Sequence, residues 1–161
     1  MNNMNILIPM AGSGKRFKDV GYTLPKPLID INGKPMVQRL LENLPIKGHY
    51  IFIVQHEDNV KYGYKNILEK LVNGNGCTII ESPGLMQGQA CSALLASQHI
   101  DNDDPLFIVN ADNYFLWDVD HFLAAIKVPM WDGMINTGRL YVSRISEVES
   151  YLRVKRVKDW W

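Results

Sequence analysis

Cysteine is scarce in this chain of 161 residues: Cys77 and Cys91 are the only two. So few, so far apart, give neither a disulfide framework nor a metal knuckle, and a reducing, cytoplasmic setting is the expectation. The four histidines, His49, His56, His99 and His121, fall at no metal-ligand spacing, and none opens a His-Glu-x-x-His pattern. Ser92 and Ser97 lack the surroundings of a nucleophile elbow. Excess charge is missing too: 17 basic residues face 17 acidic ones, which argues against a general nucleic-acid binder but leaves room for a local phosphate site. The apolar run at the N-terminus is too short for a signal peptide and has no basic n-region. No stretch approaches a membrane-spanning length, so no membrane partner is expected. What is present is a 47% hydrophobic composition with no low-complexity tract, enough for one domain with a real core.

Strand and helix patterns alternate along the chain. Residues 5–9, 50–55, 77–80 and 106–109 read as strands, and the last is apolar enough for the centre of a parallel sheet. Helical spacing predicts helices over 35–44, over 60–72 ahead of the Asn73-Gly74-Asn75-Gly76 turn, and over 88–98 with Cys91, Leu94 and Leu95 inward. A short helix at 120–126 and a strand at 133–135 complete the pattern. The order implies an α/β fold, a doubly wound, mostly parallel sheet, whose ligands sit beyond the carboxyl ends of the strands.

The most informative residues are at one such end. The strand ending at Pro9 runs into Ala11-Gly12-Ser13-Gly14, which delivers Lys15 and Arg16, and Lys26 follows between Pro25 and Pro27. Glycines turn the backbone tightly and bring its N–H groups to phosphate oxygens, while cations neutralise the charge. A Walker loop is excluded, because Pro9 stands at its first glycine and Arg16 replaces its Ser or Thr. A dinucleotide fingerprint is excluded because Phe17 stands where its third glycine belongs. A triphosphate grip of another kind remains.

Gly12, Gly14, Arg16 and Phe17, followed by Pro25-Lys26-Pro27-Leu28, resemble the signature of the sugar-phosphate nucleotidylyltransferases. The likeness covers residues 4–135 or so, and implies a GT-A-like, Rossmann-type nucleotide-binding domain over residues 1–135. It also implies roles. Arg16 and Lys26 are the expected catalytic cations, with Ala11, Gly12, Ser13 and Gly14 around the phosphates. Asp112, in the Asn110-Ala111-Asp112-Asn113 turn, is the expected Mg²⁺ ligand; an Asp-Asn turn that only ends a strand is the plainer alternative. Gly88, Gln89 and Ala90 match the base-recognition turn, although Gln87 and Gln89 would also serve as helix caps. Glu81 falls where relatives place a Gln or Glu against the base, and a carboxylate there suits an amino-bearing base such as cytosine or guanine. Lys15 reads as solvated, and Lys34 as part of a hairpin leading into a helix. The implied partners are an NTP and a sugar phosphate or related phosphate monoester, and the implied output is an NDP-sugar for surface-polysaccharide synthesis.

Beyond residue 135 the sequence changes character. Residues 136–161 form a basic-aromatic segment ending Asp159-Trp160-Trp161, without the Glu-Lys pair or second metal-binding Asp that the family carries. The expectation is a truncated acceptor half, with an ending completed by another subunit and a tail for an anionic partner as alternatives. Truncation would expose sheet edge and core, favouring marginal stability or a homo-oligomer. Two further functions stay open: an NTP-binding module without turnover, and a cytidylyltransferase acting on a non-sugar phosphate such as phosphocholine.

Overall fold

A computed structural model describes residues 4–125. Its centre is β1, Met4–Pro9, flanked by β2, Gly48–Gln55, on one side and β4, Leu106–Ile108, on the other. β3, Gly76–Ser82, lies outside β2, and every pairing is parallel. Ile6 stands level with Tyr50 and Phe107, and Tyr50 with Cys77. β1 and β2 are almost continuously apolar because both faces of a parallel sheet are covered. Leu7, Ile51 and Ile53 pack with Ala11 and Ala96 on one face, against Ile80, Ala93, Leu95 and Ile100. Alternation turns Ile6, Ile8, Tyr50 and Phe52 to the other face, all of them buried. Each fully buried side chain of this size contributes about 1.5–3 kcal/mol.

Three helical crossovers join the strands. Between β1 and β2 lie α1, Lys15–Lys18, a 3-10 turn at Lys26–Leu28, and α2, Met36–Asn43. The expected hairpin at Lys34 is present: Asp30 bridges Pro35, and Asn32 and Gly33 take φ of 53° and 82°. Between β2 and β3 the sequence pattern predicts one helix over 60–72, but two form: α3, His56–Tyr62, and α4, Tyr64–Leu71. Gly63, at φ 66°, caps the first in the left-handed region and restarts the second. Only α4 buries side chains, Tyr64 and Leu68, whereas Val60 on α3 is 71% exposed.

Between β3 and β4 the expected helix over 88–98 is also divided, into α5, Gln89–Leu94, and α6, Ser97–Ile100. Its inward face is corrected with it. Ser92 and Ala96 are buried, whereas Leu94 is 70% exposed. Leu95 keeps the expected direction, packing half-buried against the cluster of Leu7, Ile51 and Ile53. Among the described residues β4 pairs with β1 on one side only, and Leu106 and Ile108 are 41% and 48% exposed.

The compact unit just described ends at Phe115. A second unit begins at Leu116, and its described part holds one helix, α7, Val119–Ala125. The Asp118 side chain accepts the His121 N–H at 2.9 Å and starts that helix. The expected strand at 133–135, the domain boundary at 135 and the segment 136–161 lie outside the described residues. Among the described residues no helix is long and apolar enough to cross a membrane.

Candidate active site

The strand order β3-β2-β1-β4 reverses direction at β1, so the loops after β1 and β4 diverge and open a crevice between them. A cleft of about 600 Å³ occupies that place. The first wall is the glycine loop. The β1–β2 ladder extends one step past the strand, as Met10 N–H donates to the Ile53 carbonyl at 2.7 Å, and Ala11 is buried. Gly14 then turns at φ 59°, which β-substituted residues rarely adopt, and its carbonyl accepts the Phe17 N–H at 2.9 Å to open α1. Gly12, Ser13, Gly14 and Arg16 all line the cleft, Arg16 as an exposed cation. Lys15 also reaches the lining and is exposed, in keeping with its reading as a solvated lysine.

Lys26 enters from the 3-10 turn, with the buried Pro27 behind it. Its ammonium sits 5.5 Å from the centre of the Phe17 ring and donates to Asp112 Oδ2 at 2.5 Å. Asp112 is supplied by the turn after β4, where Asn113 N–H donates to the Asn110 carbonyl and Asn113 Oδ1 accepts the Asn110 N–H, both at 3.0 Å. Lys26 and Asp112, 86 residues apart in the chain, thus meet at one ion pair. Both side chains remain partly open to solvent, at 27% and 43%.

The third wall is the segment before and within α5: Leu85, Met86, Gly88, Gln89 and Ser92. The Gln89 amide donates to Asn110 Oδ1, tying the start of α5 to the Asp112 turn. Gln87 does not line the cleft. Glu81 is not brought in either. It stands near the end of β3, where the His56 ring and the Asn59 amide both bond its carboxylate. Those two contacts, His56 first, hold the exposed Glu81 carboxyl below its ordinary value. Both partners come from α3, which starts directly after β2.

A Mg²⁺ ion takes one or two carboxylates and otherwise phosphate oxygens and water. Asp112 is a hard oxygen donor on the cleft wall, and one carboxylate suffices for that pattern. Among the described residues no group of three or more His, Cys, Asp or Glu is close enough to hold a metal without a phosphate ligand.

Sequence reasoning missed Gln55, the last residue of β2. Its amide donates to the Ala11 carbonyl at 3.2 Å and to the Gly12 carbonyl at 3.0 Å. It also passed over Ser92 as a cleft residue. For Gln55 the available signal was positional, since it ends β2; Ser92, inside α5, offered none.

Residues 6–135 match the model of the MobA-like NTP transferase domain. Among curated proteins, the bifunctional protein GlmU of Methanocaldococcus jannaschii is 29% identical over 120 residues, which is 74% of this chain and 28% of the relative. The mannose-1-phosphate guanyltransferase of Aspergillus oryzae is 30% identical over 112 residues, 68% of this chain and 30% of the relative. The chain therefore spans less than a third of the length of these two relatives. Among solved structures, the nucleoside-diphosphate-sugar pyrophosphorylase of Vibrio cholerae superposes with a TM-score of 0.55 at 25% identity, covering 73% of this chain and 52% of that one. HddC of Yersinia pseudotuberculosis, complexed with GMP-PN, gives 0.60 at 23% identity over 80% of this chain and 55% of that one.

Proposed function

The chain belongs to the MobA-like NTP transferase family, and from that premise we propose that it is an enzyme transferring a nucleotidyl group from an NTP to a sugar 1-phosphate or a similar phosphate monoester. The product is an NDP-sugar, with pyrophosphate leaving. The observation that carries this reading is the meeting of the glycine loop, Lys26 and Asp112 in one cleft.

The acceptor phosphate is already an anion, so attack on the α-phosphorus needs no general base. Catalysis rests on holding the two reactants in line and neutralising charge as it shifts to the leaving pyrophosphate. The glycine loop and Arg16 take the β- and γ-phosphates, the Arg fork engaging two oxygens at once. Lys26 leaves Asp112 for the α-phosphate and stabilises the charge there in the transition state. Asp112, once released by Lys26, would hold Mg²⁺, which would supply neutralisation of phosphate charge. Leu85, Met86 and the backbone around Gly88 flank the nucleobase. Gln89, held by Asn110, links base recognition to the turn that carries Asp112.

A second reading is a module that grips an NTP without turning it over. It needs only the glycine loop, Arg16 and Lys26 that line the cleft. Calorimetric titration with the four NTPs, run beside pyrophosphate release over a panel of sugar phosphates, separates the two. Binding with acceptor-dependent release supports the transferase. Binding without release across the panel leaves only the module, and no binding of any NTP defeats both.

A further inference from the structure

Resting on this nucleotide-binding reading, we propose that Gln55 is a positioning residue which presets the glycine loop for phosphate by holding its carbonyls from behind. The argument begins with the ladder. Main-chain bonding between β1 and β2 ends when Met10 N–H reaches the Ile53 carbonyl. Two residues on, the Gln55 side chain takes over, its single amide nitrogen donating to the Ala11 and Gly12 carbonyls at 3.2 and 3.0 Å. An amide nitrogen carries two protons, so both are committed to the loop.

The consequence follows from peptide geometry. In a trans peptide the C=O of one residue and the N–H of the next point in opposite directions, and no cis peptide is present among the described residues. Fixing the Ala11 carbonyl toward Gln55 therefore turns the Gly12 N–H away from it, and fixing the Gly12 carbonyl does the same for Ser13. Both residues line the cleft, and neither N–H finds an acceptor among the described residues. Two donors are thus left unpaired side by side, an arrangement that pairs with an anion. Without Gln55 the flexible Gly12 is free to rotate either peptide and present a carbonyl to the phosphate, which repels it.

Inorganic tripolyphosphate tests this apart from base and acceptor recognition. Calorimetric affinity is measured for the wild type, Gln55→Met and Gln55→Glu, with melting curves beside it. The isosteric methionine removes both donors and is expected to weaken binding about 3- to 10-fold, within the range of one or two modest hydrogen bonds. The carboxylate of Gln55→Glu faces two carbonyl oxygens and is expected to weaken it more than about tenfold. Protonation restores one donor, so the Kd ratio of Gln55→Glu to wild type should fall as pH drops from 7 toward about 4.5, while the ratio for Gln55→Met stays flat. A merely structural role would not move that pH profile. Wild-type binding with equal affinity in both variants overturns the role of Gln55 and leaves the phosphate cleft standing. Failure of the wild type to bind tripolyphosphate overturns both. Should Gln55→Glu not fold, Gln55→Met with unchanged affinity is sufficient to reject the proposal.

Discussion

Replacing Asp112 with asparagine should separate stability from activity. The Lys26–Asp112 pair is short, at 2.5 Å, but 27% and 43% of the two side chains are open to water. Such an exposed pair stabilises a fold by about 0–1 kcal/mol. For a chain of this size that is a melting shift of about 4 °C at most. Asparagine keeps the shape and still accepts a bond from Lys26, so the shift should be smaller still. Turnover answers to a different quantity. Without the carboxylate, the charge holding the cation beside the phosphates is gone, and loss of one well-placed electrostatic group costs about 10²–10³ in rate. Binding without metal should move the opposite way. A carboxylate about 4 Å from a phosphate oxygen repels it by between about 1 kcal/mol in water and about 4 kcal/mol at a protein surface. At this exposure the lower half of that range applies, so Asp112→Asn should bind metal-free NTP roughly tenfold more tightly than wild type. The assay is pyrophosphate release and calorimetry with and without Mg²⁺, beside a melting curve. A melting loss above about 10 °C would make Asp112 a structural residue, and unchanged turnover would remove it from the mechanism.

Arg16→Ala should lower pyrophosphate release by orders of magnitude with an unchanged circular-dichroism spectrum, because Arg16 is exposed at the cleft and supports no core contact; full activity in that variant would sink its role. Gly48→Ala should cost about 1–3 kcal/mol, since the added Cβ would lie 2.4 Å from the Met4 carbonyl oxygen in the β1–β2 ladder; a melting temperature equal to wild type would contradict that packing. Tyr64→Phe should be neutral or stabilising, because the buried Tyr64 hydroxyl has no partner among the described residues; a melting loss of more than about 4 °C would reveal a bond the structure lacks. The Glu81 contacts with His56 and Asn59 should stabilise the protein above the ordinary carboxylate pKa and cease to do so as pH falls through the depressed folded value. Glu81→Gln should therefore show a shallower loss of melting temperature in acid than wild type, and equal slopes would rule the contacts out.

The fold was legible where sequence and topology agree. Apolar runs at 5–9 and 50–55 became the two central strands, and the glycine loop fell beyond the first of them. Motif spacing singled out Arg16, Lys26 and Asp112, and the structure brings Lys26 and Asp112 into contact. Helix continuity was not legible, because Gly63 breaks the chain without breaking the apolar spacing on either side. Glu81 was misplaced by counting along the chain, which cannot see His56 and Asn59 arriving from another crossover. Gln55 carries no motif at all. Its part emerges only when β2 lies in register beside β1 and the two carbonyls come within reach.

The central claim is nucleotidyl transfer in this cleft, and its most direct measurement follows an NTP labelled at the α-phosphorus, incubated with Mg²⁺ and each of a panel of sugar 1-phosphates. The account predicts that label appears in an NDP-sugar for at least one pairing, in step with pyrophosphate release, and that Lys26→Ala and Asp112→Asn abolish it while remaining folded. Label that stays in the NTP across the whole panel, or that transfers equally well in both variants, would contradict it.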